Sequence, residues 1–295
     1  MFTGSIVAIV TPMDAAGDLD WEALDALVEW HLEQGTDGIV PVGTTGESAT
    51  LSIDENVRVV ERVVRVADGR VPVIAGTGAN NTREALEMTR AARSAGADAS
   101  LQVVPYYNRP TQEGLYRHFA TIADDVSMPH VLYNVPKRTG CDLLPATVAR
   151  LAAHGNLVAI KEAGGEVGRV REIHEACGHA FPVLSGEDPI NVAMMRAGAV
   201  GAVSVTANVL PGRVAAMLHA ALAGDWATAE AVEAALAPLH AAMFVESNPI
   251  PVKWALHEMG RMGPGIRLPL TPLAEPLRAE LRATLGHFGL LGAER

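Results

Sequence analysis

Lysine is scarce in this chain, and one lysine stands where a nucleophile would be useful. Only Lys137, Lys161 and Lys253 occur among 295 residues, against twenty arginines. Lys161 ends the apolar run 157–160. Burial disfavours the charged form of an amine, and only the neutral amine attacks a carbonyl. Lys161 is therefore a candidate nucleophile, the alternative being an ordinary strand-end lysine that reaches into solvent. We expect Lys253 to be a solvated helix residue.

A turn rich in glycine and hydroxyl groups follows the second apolar run, at Gly43-Thr44-Thr45-Gly46-Glu47-Ser48. Its glycines allow a tight backbone turn, and its hydroxyl and amide groups can bind a carboxylate. A simple helix-capping turn would explain the same residues. The Gly-Lys-Ser/Thr end of a P-loop is missing, which excludes that phosphate-binding motif.

Three of the four tyrosines lie at the ends of two neighbouring apolar runs. Tyr106 and Tyr107 come after the fourth run, and Tyr133 lies in the fifth, just before Arg138. Consecutive strand residues face opposite sides, so we expect one of the paired tyrosines to face the site and the other a packing or subunit surface. Phenols beside a nucleophilic lysine can transfer protons, and a guanidinium suits a substrate carboxylate. Ordinary packing and surface roles are the alternatives.

Other polar residues give weaker signals. Glu187 and Asp188 follow the seventh run and could act as a base or a metal ligand, although we expect them to cap the next helix. Cys141 and Cys177 lack the spacing of a disulfide framework or a zinc site, and we expect Cys141 to be a small buried thiol. The histidines show no metal-ligand spacing. The sequence therefore predicts neither a metal nor a cofactor.

Eight apolar, β-branched runs alternate with amphipathic segments, and the runs read as parallel strands covered on both faces. They are Ile6–Val10, Gly38–Val42, Val71–Ala75, Ser100–Val104, His130–Val135, Leu157–Lys161, Phe181–Ser185 and Val200–Val205. Eight strand–helix units predict a (β/α)8 TIM barrel over residues 1–224. An open doubly wound sheet is the alternative, but the first run lacks its Gly-x-Gly-x-x-Gly turn.

Helical signals separate the runs and continue after them. Asp20, Ser52 with Glu55, and Asn81 are predicted N-caps. Residues 225–295 read as a helical C-terminal region with three segments, Ala227–Phe244, Ile250–Gly260 and Leu273–Phe288. Since barrel enzymes carry their sites on the loops after the strands, the residues described above should converge at one end of the barrel.

Composition limits the partners. A net charge of −11 and a pI near 5.4 argue against a sequence-independent nucleic-acid binder, which would present a basic face. The N-terminal residues do not resemble a signal peptide, and no run approaches the roughly 18 apolar residues of a membrane span. We expect a cytoplasmic protein.

Taken together, these motifs are similar to those of the dihydrodipicolinate synthases, in the superfamily of pyruvate-dependent class I aldolases that includes N-acetylneuraminate lyase. The resemblance runs nearly end to end. It is carried by segments 43–48, 105–114, 132–145, 160–163, 185–188, 204–209 and 248–253. The Gly-Thr-Thr-Gly-Glu turn and the strand-end lysine mark the superfamily, and Asn-Val-Pro-x-Arg-Thr-Gly with Arg138 marks the synthases.

The resemblance implies roles for the chemical groups. Lys161 would form a Schiff base with pyruvate, whose carboxylate Thr45 and the amides of its turn would hold. Tyr133, Thr44 and Tyr107 would form a proton relay, with Tyr107 coming from a neighbouring subunit.

It also implies a substrate pocket and a reaction. Arg138 would bind the carboxylate of the aldehyde, while Gly186 and Val203 would line the pocket. The pyruvate enamine would attack aspartate semialdehyde in lysine and diaminopimelate biosynthesis, with no cofactor other than the imine. A homotetramer built from two dimers is the assembly that the resemblance implies.

A regulatory site for L-lysine is also implied, lined by Ser48, Ala49, Asn80, Glu84 and Tyr106. Ile53 and Asn56 replace histidines that are common in lysine-inhibited relatives, so part of the polarity facing a carboxylate is lost. We therefore predict weak or absent feedback inhibition.

Two other functions stay open at this point. The first is a lyase or aldolase of the same superfamily that acts on N-acetylneuraminate or a 2-keto-3-deoxy sugar acid, against which Arg138 argues. The second is a non-catalytic sensor of keto acids, against which the retained Lys161, Tyr133, Tyr107 and threonines argue.

Overall fold

Eight short parallel strands form the centre of the computed structural model, which describes residues 2–291. They are β1 Gly4–Ala8, β2 Gly38–Val40, β3 Ile74–Gly76, β4 Ala99–Val103, β5 His130–Asn134, β6 Leu157–Glu162, β7 Val183–Ser185 and β8 Gly201–Ser204. They pair in the order β2-β1-β8-β7-β6-β5-β4-β3. A parallel bridge between Ile39 and Val73 joins the two ends. The predicted barrel is confirmed.

Helices connect the strands and cover the outside of the barrel. They are α1 Trp21–Glu33, α2 Ile53–Ala67, α3 Thr82–Ser94, α4 Gln112–Asp125, α5 Pro136–Thr139, α6 Pro145–Ala152, α7 Gly168–Cys177, α8 Asn191–Arg196 and α9 Pro211–Leu222. The predicted caps are present: Asp20 accepts from the Ala23 amide, Asn81 accepts from the Arg83 amide, and Ser52 forms a full capping box with Glu55.

Strand alternation divides the core into two layers. Inward-facing side chains such as Ile6, Leu101, Val131 and Leu184 fill the barrel, as expected because successive strand residues point to opposite faces. The outward-facing residues pack with the inner faces of the surrounding helices in a second, larger cluster. A strand residue near the mouth of the barrel can therefore face either the cavity or the helix layer.

Three helices follow the last barrel helix, α10 Trp226–Ala242, α11 Ile250–Glu258 and α12 Glu275–His287. Helix α10 packs beside α9, and α12 contacts both α10 and α11. The segment between α11 and α12 reaches back to the barrel, where the Gly265 amide donates to the Met13 carbonyl at 3.3 Å. The C-terminal helices thus lie against the end of the barrel that carries the loops of interest.

Within residues 2–291, no helix combines the length and the apolar character needed to cross a bilayer.

Candidate active site

Lys161 lies near the end of β6 and faces the inside of the barrel. Only 6% of the residue is exposed, and its Nζ atom lies 4.1 Å from the centre of the Tyr133 ring. Tyr133 is its register partner on β5. The solvent-exposed alternative is therefore wrong, because Lys161 faces inward with Ala159 of β6 and with Ala163 just after the strand, which leaves the amine beside a phenol.

A cavity of about 690 Å³ opens in front of this lysine at the carboxyl ends of the strands. Its barrel wall includes Thr44, Thr45, Tyr133, Lys137, Arg138, Gly186 and Glu187. Residues of α10 and the segment after it form the rest of the wall, namely His240, Ala241, Phe244, Ser247 and Asn248. The volume is sufficient for a small metabolite.

The turn after β2 is fixed from both sides. The Thr45 hydroxyl accepts a hydrogen bond from Asn248 Nδ2 at 3.0 Å, and Thr11 donates to the Gly46 carbonyl at 2.7 Å. A Cβ on Gly46 would lie 2.8 Å from the Val42 amide nitrogen, so this position requires glycine. The predicted hydroxyl-rich turn therefore presents Thr44 and Thr45 to the cavity in a fixed conformation.

Lys253 is not solvated, contrary to the sequence-based expectation. It is 3% exposed and forms a buried ion pair with Glu47, whose backbone is left-handed with a φ of 57°. Burial lowers the pKa of Lys253 and the Glu47 charge opposes that shift. Glu47 also accepts from the Thr50 hydroxyl at 3.2 Å and from the Arg267 amide at 3.3 Å. Helix α11 thus anchors the turn that carries Thr44 and Thr45.

Gly186 and Val203 were both expected to line the pocket. Gly186 does: a Cβ there would lie 2.9 Å from Lys161 Cε and 2.8 Å from Ala163 Cβ, so only glycine leaves room for the lysine. Val203 instead belongs to the cluster inside the barrel, and Val205, beyond the end of β8, lies on the cavity wall. The reason is depth, since a residue within β8 lies further from the mouth than the loop that follows it.

Arg138 lies on α5, the short helix after β5, where two cavities meet. Its Nη2 atom donates to the Asn248 carbonyl at 3.2 Å, and the residue lines both the barrel cavity and a second one. The side chain is exposed, so the guanidinium is accessible to a carboxylate.

Tyr106 and Tyr107 both lie outside the barrel cavity. Tyr107 is 91% exposed and has a φ of 73°, whereas Tyr106 is 39% exposed and lines the second cavity. The alternation argument failed because both residues lie beyond the end of β4 at Val103, where the chain has left the extended conformation. In the single chain, Tyr107 does not approach Lys161.

Glu187 and Asp188 do not cap a helix, contrary to expectation. The Asp188 carboxylate accepts from the Val205 and Thr206 amides at 2.9 Å each and so joins the loops after β7 and β8. Glu187 turns toward the barrel cavity. Burial raises the pKa of its carboxyl, while the charge of Lys137 lowers it.

A second cavity of about 630 Å³ lies beside the first. Four of the five residues predicted for a regulatory site line it, namely Ser48, Ala49, Glu84 and Tyr106. The fifth, Asn80, donates to the Tyr106 carbonyl at 3.2 Å. Thr44, Val135, Arg138 and Asn248 line both cavities, so the two are adjacent.

Two positions that depart from the lysine-inhibited pattern lie at this second cavity. Ile53 is 45% exposed. The Asn56 amide nitrogen donates to the carbonyls of Ser48, Leu51 and Ser52. The donor hydrogens of Asn56 are therefore already engaged by the backbone.

Behind Lys161, on the outer face of β6, Glu162 is fully buried. Burial raises the pKa of this carboxyl to about 7, against the hydrogen bonds from Asn134 and the Gly164 amide. Cys141 is partly buried, its thiol donates to the Pro110 carbonyl at 3.3 Å, and burial raises its pKa. Neither group lines the barrel cavity.

Sequence reasoning missed the contribution of the C-terminal region to the site. Asn248 donates a hydrogen bond to Thr45 and accepts one from Arg138. This residue follows no barrel strand, and neither do His240 and Phe244 on the cavity wall. The available signals were the Asn248-Pro249 break and the position of one of only three lysines five residues later.

The dihydrodipicolinate synthetase family model matches residues 1–288. The chain is 59% identical over 291 residues to the 4-hydroxy-tetrahydrodipicolinate synthase of Nitrosococcus oceani, covering 99% of this chain and 100% of that protein. It is 58% identical to the corresponding protein of Alcanivorax borkumensis, with 99% of each chain covered.

Solved structures agree with these relatives. The fold matches the dihydrodipicolinate synthase of Acinetobacter baumannii in complex with pyruvate with a TM-score of 0.97 at 53% identity, covering 99% of this chain and 100% of that one. A synthase from Cyanidioschyzon merolae with lysine bound matches with a TM-score of 0.94 at 37% identity, covering 98% and 99%. The resemblance seen in the motifs is confirmed, and the chain belongs to the dihydrodipicolinate synthetase family.

Proposed function

We propose that this chain condenses pyruvate with L-aspartate 4-semialdehyde to 4-hydroxy-tetrahydrodipicolinate, as a lyase of lysine and diaminopimelate biosynthesis. The observation that carries the proposal is the buried Lys161 amine facing the Tyr133 ring inside a cavity. The names of full-length relatives at 55–59% identity support the same reaction.

The first step forms the Schiff base. The Nζ atom of Lys161 attacks the keto carbon of pyruvate, and after two proton transfers the keto oxygen leaves as water. Tyr133 is the phenol beside the amine, and Thr44 lies on the same cavity wall, so these hydroxyls can carry the protons. Thr45, held by Asn248, and the amides of its turn are placed to bind the pyruvate carboxylate.

The second step forms the carbon–carbon bond. The imine withdraws electrons from the pyruvate methyl group, which loses a proton and becomes the nucleophilic carbon of an enamine. That carbon attacks the aldehyde carbon, whose oxygen takes up a proton and becomes a hydroxyl. Arg138, an exposed residue on the cavity wall, binds the carboxylate of the aldehyde.

The last step releases the enzyme. The amino group of the condensed chain attacks the imine carbon and forms a new carbon–nitrogen bond. The bond between that carbon and Lys161 Nζ breaks, and the lysine takes the proton it needs to leave as an amine. The product is cyclic, and no group other than the lysine imine enters the scheme.

A partner subunit completes the relay in this proposal. Tyr107 is 91% exposed on its own chain, although a large aromatic side chain is seldom left so exposed without a contact surface. We place it in the cavity of a neighbouring copy, within a homotetramer built from two dimers. The second cavity is the proposed L-lysine site. The division into a barrel over 1–224 and a helical region over 225–295, and the cytoplasmic location, stay predictions.

A substrate comparison tests the reaction. Purified protein is supplied with pyruvate and aspartate semialdehyde, and in parallel with N-acetylneuraminate and a 2-keto-3-deoxy sugar acid. We expect turnover of the first pair alone, because Arg138 provides a clamp for a second carboxylate. Cleavage of a sugar acid would instead assign the chain to the lyase branch, and a lack of turnover of all substrates would favour a sensor.

A further inference from the structure

The charges on the cavity wall are unequal, and two of the charged residues, Lys137 and Glu187, have no role in the scheme above. Among the described residues of the wall, Lys137, Arg138 and Lys161 are basic and Glu187 is the only acid. Arg138 and Lys161 already have tasks. A lone carboxylate in a cavity that binds anions needs a separate explanation, since it opposes the binding of both substrate carboxylates.

Within residues 2–291, the Glu187 carboxylate has the Lys137 charge nearby, which lowers its pKa, but no partner bonded to its oxygens. Its own amide is engaged, donating to the Ser185 hydroxyl at 3.2 Å, but no hydrogen bond or ion pair within that range reaches its side-chain oxygens. Half-buried charged groups are normally paired. Glu187 therefore keeps its carboxylate oxygens available to a ligand, although the Lys137 amine lies on the same side of the cavity.

The carboxylate lies near the reacting amine. Its neighbour Gly186 is in contact with Lys161, since a Cβ on Gly186 would lie 2.9 Å from Lys161 Cε. On the other side, a Cβ on Gly165 would lie 3.8 Å from Glu187 Oε1 and 2.9 Å from Lys137 Nζ. Glu187 thus lies on the cavity wall next to the residue that contacts Lys161, on the side of Lys137.

Of the two substrates of the proposed reaction, only the aldehyde carries a positive charge. Pyruvate is an anion, whereas aspartate semialdehyde has an α-ammonium group beside its carboxylate. The wall offers a matching arrangement, with a guanidinium on Arg138 for the carboxylate and a carboxylate on Glu187 for the ammonium. A sugar acid, which lacks an amine, would find no partner for this acid.

We propose that Glu187 binds the α-ammonium group of the aldehyde substrate and accepts its proton before the ring closes. The inference rests on the proposed function and deepens it. An ammonium group has no lone pair and cannot attack the imine. Transfer of one proton to a Glu187 oxygen leaves a neutral amine, whose lone pair forms the bond to the imine carbon as the bond from that carbon to Lys161 Nζ breaks. Burial, which raises the pKa of Glu187, makes the carboxylate a better acceptor.

The test compares aspartate semialdehyde with succinic semialdehyde, which has the same chain with hydrogen in place of the amino group. To monitor carbon–carbon bond formation with each aldehyde, the reaction is quenched with borohydride and the mass of the Lys161 adduct is measured. Turnover of aspartate semialdehyde is followed separately. The variants are Glu187→Gln, which keeps the size and removes the charge, and Glu166→Gln, an exposed acid after β6 outside the cavity.

We expect Glu187→Gln to lower kcat/KM for aspartate semialdehyde by roughly 100-fold, the range of a lost proton acceptor, and to form the succinic semialdehyde adduct within about twofold of the parent rate. The control Glu166→Gln should match the parent in both. Equal losses with the two aldehydes, or no loss with either, would overturn the role of Glu187 while leaving the reaction in place. A parent protein that forms no adduct with pyruvate would overturn the proposed function itself.

Discussion

Replacing Lys253 with methionine removes one charge from a buried ion pair and leaves the other charge in place. Lys253 and Glu47 are 3% and 2% exposed, so the remaining carboxylate cannot reach bulk water. Methionine fills similar space without a charge. Glu47 would keep its hydrogen bonds from the Thr50 hydroxyl and the Arg267 amide, at 3.2 and 3.3 Å.

The size of the effect follows from these contacts. Removing one partner of a buried ion pair costs about 3–5 kcal/mol of unfolding free energy. The two surviving hydrogen bonds place this case at the lower end, so we expect a loss of about 3 kcal/mol and a fall in Tm of roughly 5–10 °C. Because Glu47 lies in the turn with Thr44 and Thr45, we also expect the KM for pyruvate to rise by about tenfold, as misplaced binding groups cost affinity.

Thermal and urea unfolding followed by circular dichroism, with initial rates at varied pyruvate, measure both effects. Arg65→Met is the matched control, since Arg65 is exposed on α2 and forms no ion pair within residues 2–291. The double variant Glu47→Gln with Lys253→Met should recover at least about 1 kcal/mol, because it leaves no unpaired charge. If the free energy of unfolding of Lys253→Met lies within about 0.5 kcal/mol of the control value, the ion pair does not stabilise the turn as we argue.

Three further predictions concern regulation, pH and specificity. L-Lysine should inhibit initial rates weakly, because Ile53 is apolar and the Asn56 amide is engaged by three carbonyls; half-inhibition at micromolar L-lysine would contradict this. Burial, with a smaller effect of Arg261, lowers the pKa of His31 from 6.5 to about 3. As the pH falls below 6.5, His31 therefore takes up a proton in the unfolded chain but stays neutral in the folded one, and the free energy of unfolding decreases. The loss attributable to His31 should reach about 2 kcal/mol at roughly pH 5, and urea unfolding should show a smaller pH dependence in His31→Gln; equal slopes would refute it. Arg138→Met should raise the KM for aspartate semialdehyde by about 10- to 100-fold, the value of a hydrogen bond to a charged group, while borohydride trapping of pyruvate stays unchanged; an unaltered KM would exclude Arg138 from the aldehyde site.

The barrel and its central lysine were predictable because their causes are local. A short apolar, β-branched run predicts a strand, and eight such runs with helical spacers predict the closed sheet. The same rule placed Lys161, Tyr133 and the turn at Gly43–Ser48 at one end of the barrel, where the structure has them.

The rest depended on contacts between distant parts of the chain. The sequence predicted a solvated helix residue at Lys253 because its partner, Glu47, lies 206 positions earlier. The sequence predicted a helix cap at Asp188, whereas its carboxylate accepts hydrogen bonds from the amides of Val205 and Thr206. Neither spacing nor composition could indicate which loops meet above the barrel.

The central claim is that the amine of Lys161 binds pyruvate covalently. Incubation with pyruvate and borohydride, followed by mass spectrometry of the digested protein, tests it directly, with Lys161→Arg as the control. We predict one reduced pyruvate adduct per chain, located on Lys161 and absent from the variant. An adduct on Lys137 or Lys253, or an unmodified protein that still turns over both substrates, would contradict the account.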